Sequence, residues 1–259
     1  MLVNFQAIAE SAQGFAGADP FDHCVVDDFL LPEVAEALAA EFPSPEADCW
    51  YRYDNPIEVK MAANNWNAFP PATYRLFSFL NSAGFVAQLS QLLGVADLSG
   101  DQGLNGGGCH SHGRGGKLNP HLDYNLHPKL GLQRKINLIV YLNKDWQSHW
   151  GGQLGLWRQD PDARAPGELV TTVEPLFNRA IIFDTTQDSW HGLVRELDPP
   201  PGRYRNSLAV YYLRPAPGDA EERGKALYAP TADQAGDQSI LDLIERRAQT
   251  ALAGEVYRR

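Results

Sequence analysis

The hydrophobic positions of this chain change period about a third of the way along. Up to Gly94 they recur at three- and four-residue spacing; beyond it they gather in short β-branched and aromatic runs. In PEVAEALAAEF (32–42), Val34, Leu38 and Phe42 share one helix face. Pro32 suits the first helical turn, where no backbone donor is needed. Two more helical patterns follow, PATYRLFSFLNS from Pro71 and GFVAQLSQLLG ending at Gly94. Between the first and second lies 49–69, which is aromatic, asparagine-rich and aperiodic and reads as a long irregular segment.

After Gly94, glycine becomes dense in GDQGLNGGGCHSHGRGG, and strand-like runs then occupy 136–142, 153–157, 169–173, 180–183 and 207–213. They are separated by Gly, Pro and Asp turns, as expected of an antiparallel sandwich or barrel. The tail QSILDLIERRAQTALAGEV (238–256) returns to helical spacing, with Ile240, Leu243 and Ile244 on one face. No internal repeat is visible. The expected fold is mainly β (α+β), a single domain over 1–259. Helical support would cover about 1–95, the β core about 96–215 and a helical tail about 216–259, with helices packed on one sheet.

Composition narrows the classes of partner. Hydrophobic residues make up 44% and charged residues 21%, as in ordinary globular proteins. A formal net charge of -10 argues against a nucleic-acid surface, which needs a basic footprint. No apolar run approaches the ~20 residues of a membrane span, and the N-terminus lacks a charged segment leading into an apolar core, so no signal peptide is expected. Cys24, Cys49 and Cys109 form no C-x-x-C spacing and read as reduced thiols of a cytoplasmic protein. Oligomeric state has no signature here.

The candidate chemistry lies in NPHLDYN. Side chains alternate along an extended strand, so His121 and Asp123 point the same way and offer two sites of a facial metal triad. His191, in SWHGLV directly after the apolar run AIIFD, can supply the third after several strands have returned the chain. Arg205 opens RNSLAVYYL, where a fork-shaped guanidinium could hold a ligand carboxylate bidentately beside the metal. Ser207, two residues on, shares its strand face. His110, His112, His127 and His149 read as loop residues rather than ligands.

These motifs, taken in order, resemble the prolyl-hydroxylase-like branch of the iron(II)/2-oxoglutarate oxygenases over about 21–213. The pattern Tyr-x-x-Gly-x-x-(Tyr/Leu)-x-x-His-x-Asp appears as HGRGGKLNPHLD, with Gly115 and Leu118 at its glycine and leucine positions. VYLNKDW, GGQLGLW, VEPLFNRAIIFD, SWHGL and RNSLAVYYL follow in the family's strand order, and PFDHCVVDDFLLPEVAEAL looks like its first strand and helix. The resemblance implies a double-stranded β-helix, or jelly roll, with Fe(II) held by His121, Asp123 and His191, 2-oxoglutarate as cosubstrate and O2 as oxidant. It implies Arg205, Ser207 and Tyr141 around the distal carboxylate of 2-oxoglutarate, and Asp123 favours hydroxylation over halogenation. Two departures stand out: His112 occupies a position often held by tyrosine, and the longer VRELDPPPG segment makes Arg203 a rival to Arg205.

Two other functions use the same residues. A jelly-roll binding module would need metal but no arginine beside it, and a zinc hydrolase would add a separate general base. The expected substrate is a small molecule or peptide, prolyl among the options. Segments 50–70, 124–135 and 144–151 would decide it. Within them Trp66, Asn64 and Asn65 are candidates for substrate contact, and Lys129, Arg134 and Lys135 could attract an anion; a packed tryptophan and a solvated loop are the plainer readings.

Overall fold

The structure, a computed structural model, describes residues 1–249. Nine strands form the larger sheet: β1 (His23–Val26), β2 (Tyr51–Asn55), β3 (Glu58–Ala63), β4 (Ser99–Gly100), β5 (Gly108–His112), β6 (Lys117–Leu118), β8 (Gln133–Tyr141), β11 (Ala180–Asp184) and β13 (Arg205–Arg214). Five form the smaller: β7 (His121–Leu122), β9 (Leu154–Gln159), β10 (Pro166–Val173), β12 (Trp190–Leu193) and β14 (Leu227–Tyr228). The larger runs β1-β11-β8-β13-β5-β3-β2, with β4 beside β13 and β6 beside β3; the smaller runs β10-β9-β12-β7-β14. All pairings are antiparallel, and the two sheets make the expected jelly roll.

Strand alternation divides the larger sheet into a packing face and a cavity face. Ile136, Leu138 and Val140 of β8 and Leu208, Val210 and Tyr212 of β13 are buried in the main core. Four helices cover that face: α1 (Phe5–Ala12), α2 (Pro32–Glu41), α3 (Pro71–Leu80) and α4 (Ala83–Leu93), contributing Ile8, Leu38, Leu76, Phe77, Leu80, Phe85 and Leu89. The opposite residues, Asn137 and Ile139 of β8 and Arg205, Ser207, Ala209 and Tyr211 of β13, line the cavity between the sheets. Phe21, Leu154, Leu156, Ile181 and Phe183 pack with Tyr141 in a second apolar cluster.

Helix ends follow local chemistry. Ser82 caps α4 by accepting from the Phe85 N–H at 3.3 Å, and Gly94 ends it in the left-handed conformation. Pro32 and Pro71 stand in the first turns of α2 and α3. A fifth helix, α5 (Gln238–Ala248), starts on Asp237; the rest of the expected tail helix falls on 250–256, outside the described residues. Among the described residues no single helix is long and apolar enough to cross a membrane.

Two expectations are corrected. Segment 49–69 is not irregular: it folds into the β2–β3 hairpin on the edge of the larger sheet, followed by a short 3-10 turn at Trp66–Ala68. The hairpin turns where Asn55 Oδ1 accepts from the Ile57 and Glu58 N–H groups, each at 3.1 Å. Its side chains Arg52, Tyr53 and Lys60 face the cavity, so no apolar alternation marks it. Likewise His110 and His112 are on strand β5, not in a loop. Gly108, at φ +100, lets β5 pass so close to Ala63 that a Cβ there would overlap the Ala63 carbonyl.

Candidate metal centre

His121 and His191 face each other as direct partners across the β7–β12 pair, their ring centroids 4.3 Å apart. Asp123, two residues past His121, brings its carboxylate 3.8 Å from His121 Nε2 and 3.7 Å from His191 Nε2. Those separations are too long for hydrogen bonds and leave room for a cation between the three groups. All three are buried, and one ligand atom from each lies within 4.8 Å of the others.

The surroundings fix the ligating form of each group. His121 Nδ1 lies 3.0 Å from the Asn119 carbonyl and His191 Nδ1 lies 2.8 Å from the Ser189 carbonyl. A carbonyl can only accept, so each Nδ1 carries the proton and each Nε2 presents a lone pair to the centre. Burial, reinforced by His191, pushes His121 down to about 3, and burial lowers His191 as well. For Asp123 burial works against the charge, but Arg134, His191, His121 and Arg223 outweigh it and hold the carboxyl at about 2. Two neutral imidazoles and a carboxylate are the donor set a divalent iron takes.

These shifts predict acid lability. Free histidine titrates near 6.5 and free aspartate near 3.8, whereas the folded values lie lower. Below those free values the unfolded chain binds protons that the folded chain refuses, so folding loses stability as pH falls. In metal-free protein the urea midpoint should decline from about pH 6.5 downward, with Asp123 adding to the loss below about 3.8. A midpoint that rose between pH 7 and pH 5 would contradict the assignment of buried neutral imidazoles.

Behind Asp123 stands Arg134, which sequence reasoning placed in a solvated loop. Its Nη1 is 3.1 Å from Asp123 Oδ1, its Nη2 donates to the Asn105 carbonyl at 2.7 Å, and its guanidinium is sandwiched 3.3 Å from the rings of Tyr124 and Tyr211. A bulge aims it there: Ile136 pairs with Tyr212 but Arg134 pairs with Leu213, so Lys135 is an extra residue on β8. The odd-numbered inward set (Asn137, Ile139, Tyr141) thereby gains an even-numbered member, while Lys135 turns to Asp184. Asn137 Nδ2 also donates to Asp123 Oδ2, at 3.3 Å. Replacing Arg134 with leucine should cost the metal-free protein about 3–5 kcal/mol by leaving a buried carboxylate unpaired. Added divalent metal should recover part of that loss in a denaturation experiment, because it supplies the missing positive charge.

Beside the triad a cavity of about 470 Å³ opens between the sheets. Arg205, Ser207, Tyr141, His112 and His110 meet there through strand register: Arg205 is paired with His112, and Ser207 with both His110 and Tyr141. Arg205 is 4% exposed, its Nε donates to the Gly152 carbonyl at 2.7 Å, and Tyr141's ring lies 4.9 Å from the guanidinium carbon. No acidic side chain among the described residues pairs with it, so a permanently charged fork faces the cavity without a counter-ion from the protein. Arg203, by contrast, is exposed, 6.0 Å from the Trp150 ring. His112 is buried with neither ring nitrogen hydrogen-bonded, and burial together with Arg205 keeps it uncharged.

Two other candidate contacts, Trp66 and Lys129, do not line the cavity, and His149 is not a ligand of the triad. Trp66 packs against Phe69, Tyr74 and Phe77, Lys129 is exposed, and His149 lies in a 3-10 turn against Trp150. Sequence reasoning missed Tyr228, whose ring stacks on His121 at 4.9 Å and whose hydroxyl donates to Glu58 at 3.1 Å. Its two-residue strand carries no pattern of its own.

Two histidines and one carboxylate facing an open cavity, next to a buried guanidinium with no acidic partner among the described residues, are the donor pattern of a mononuclear non-haem iron centre. This protein matches the 2OG-Fe(II) oxygenase superfamily model over residues 107–213. It is an oxygenase whose cofactors are iron(II) and 2-oxoglutarate. Its fold resembles a Pseudomonas putida prolyl-4-hydroxylase at 20% identity and TM-score 0.57, over 81% of this chain and 100% of that one. It also resembles the Trichoplax adhaerens prolyl hydroxylase solved with a hypoxia inducible factor peptide, at 15% identity and TM-score 0.56 over 81% and 91%. A third, HygX of Streptomyces hygroscopicus with nickel, 2-oxoglutarate and hygromycin B, aligns at 16% identity and TM-score 0.53 over 88% and 94%. At these identities the likeness is one of fold.

Proposed function

We propose that this protein hydroxylates an unactivated C–H bond of an amino-acid, peptidyl or other small-molecule substrate, with iron held by His121, Asp123 and His191. The observation that carries the reading is Arg205, a buried cation with no acidic partner among the described residues, on the cavity that the triad faces. In this assignment its terminal nitrogens take the distal carboxylate of 2-oxoglutarate bidentately, with the Tyr141 and Ser207 hydroxyls beside it. A metal-dependent binding module has no need of that charge, and a zinc hydrolase would instead call for a separate general base near the metal and show no dependence on 2-oxoglutarate.

Bound iron(II), with 2-oxoglutarate and O2, supplies the oxidising power to place one oxygen atom in a C–H bond while succinate and CO2 are released. The chain's own part is positional. The Asn119 and Ser189 carbonyls hold the imidazoles in one tautomer, and Arg134 and Asn137 hold the Asp123 carboxylate. Gly152 fixes Arg205 through its Nε, leaving the fork oriented before the cosubstrate arrives. Leu118, Ile139, Leu154 and Leu193 wall the cavity with apolar surface that excludes water. A prolyl substrate is one option within the reading, in keeping with the prolyl hydroxylases that share the fold.

The test is an anaerobic titration of purified protein with iron(II) and 2-oxoglutarate, read by visible absorption, followed by admission of air. A weak metal-to-ligand band and then succinate are expected. Tight metal binding with no band and no succinate would return the zinc-hydrolase and binding-module readings to the front.

A further inference from the structure

The outer half of the cavity carries positive charge that the proposed cofactor set does not call on. Arg52 on β2, Lys60 on β3, Lys225 just before β14 and Arg247 on α5 all line it, contributed by separate elements. Against these four cations stands the carboxylate of Glu58, fully buried and shared by Lys60, at 3.2 Å, and Arg247. Burial disfavours the Glu58 charge, but Lys60 and Arg247 outweigh burial and keep it ionised. The rim therefore holds a net positive charge within a chain whose formal net charge is -10, so the cluster does not follow from composition. At the centre, iron, Arg205 and Arg134, the last paired with Asp123, already outweigh the charge of Asp123 and the two carboxylates of 2-oxoglutarate. The cosubstrate leaves no negative charge over for the rim.

Lys60 is placed to use that excess. Its ammonium lies 5.2 Å over the Tyr53 ring and 3.2 Å from Glu58, and it lines the cavity together with His110 and His112. Beside it His110 presents a buried Nε2 with no hydrogen-bond partner. A second cavity, of about 320 Å³, lies against Lys60, His110, Tyr51, Tyr53, Asn64 and Asn105, and shares five of those six residues with the main one. A focused positive field in a low-dielectric cleft with tyrosine walls selects a negatively charged ligand.

We infer that the substrate carries a carboxylate, which docks on Lys60 with Lys225, on the lining of the same cavity, supporting it. The inference rests on the oxygenase reading and adds to it the chemical class of the substrate. The carboxylate could belong to a free amino acid or to an acidic side chain of a peptide, and the two are separable by experiment.

The test uses the full chain loaded anaerobically with iron(II) and 2-oxoglutarate. The probes are the free L-amino acids, their carboxamides, and aspartate and glutamate blocked at both termini. The absorption band before any probe is added reports the oxygenase reading by itself. At least one free or blocked acid should then shift the band, and its neutral amide should bind at least about tenfold more weakly. Lys60→Gln and Lys225→Gln should each weaken that acid by about tenfold or more while titrating normally with 2-oxoglutarate, and Lys60→Arg should recover most of the loss. Binding of a free acid alone assigns a main-chain carboxylate; binding of blocked aspartate or glutamate assigns a side-chain one. Amides as tight as acids, no response to any probe, or undiminished acid binding in both glutamine variants overturns the inference with the oxygenase reading intact. Absence of the band before any probe overturns both.

Discussion

His191→Ala is expected to abolish the iron- and 2-oxoglutarate-dependent absorption and to cut succinate formation by at least about 100-fold, the most that loss of a residue merely supporting a ligand costs. The side chain is buried on β12, and its Nε2 has no hydrogen-bonding role beyond facing Asp123 and His121. Far-ultraviolet circular dichroism should stay that of the parent, because the strand pairing of Trp190–Leu193 with β9 is made by backbone groups. Asp123→Ala should lose metal equally, and in addition it strips Arg134 of its buried partner, so its urea midpoint should fall further than that of His191→Ala. Retention of metal-dependent succinate formation by His191→Ala would remove it from the ligand set.

Arg205→Ala is the second large effect, and it should separate cosubstrate from metal. Truncating one member of a buried, hydrogen-bonded charge pair costs about 2–5 kcal/mol. At 1.4 kcal/mol per tenfold, the 2-oxoglutarate KM should rise by roughly 30- to 4,000-fold. Iron affinity measured without cosubstrate should be preserved or slightly increased, since a nearby cation has gone. Arg205→Lys should recover only part of the loss, because a point charge cannot reproduce the fork or the Nε bond to Gly152. Equal loss of metal and cosubstrate affinity in Arg205→Ala would mean that the residue supports the fold rather than the ligand.

Most of the framework behind these effects was legible before any coordinates. Helical spacing in 32–42 and 71–94, and β-branched runs from 136 to 213, name the layers, because burial on one face imposes its period on the sequence. The triad was legible because an H-x-D pair on an extended segment must share a face, and Arg205 because it opens an apolar strand. What escaped has particular causes. The β2–β3 hairpin turns Arg52, Tyr53 and Lys60 toward a polar cavity, so it lacks the apolar face that would have announced it. His110 and His112 were hidden by the glycines that let β5 approach β3. Arg134 was hidden by the bulge at Lys135, since a strict period of two sends it away from Asp123. Tyr228 and Arg247 join the site from parts of the chain distant in sequence, and no local pattern records that.

The hairpin's place on the sheet edge separates two kinds of selective constraint. The candidate residues for iron and 2-oxoglutarate lie on, or directly after, strands with neighbours on both sides, namely β7, β8, β12 and β13. Lys60, Tyr53 and Arg52 come from the terminal pair of the other sheet edge, where β2 has one neighbour only. Exchange of those three side chains would alter what the cavity admits while leaving the oxidising centre in register, whereas the β2–β3 turn itself is tied to that centre, its Ile57 carbonyl accepting from the Asn119 N–H at 2.9 Å. Descendants of this chain could thus diverge in diet without relearning their chemistry, and a designer seeking new acceptors would begin with those three side chains.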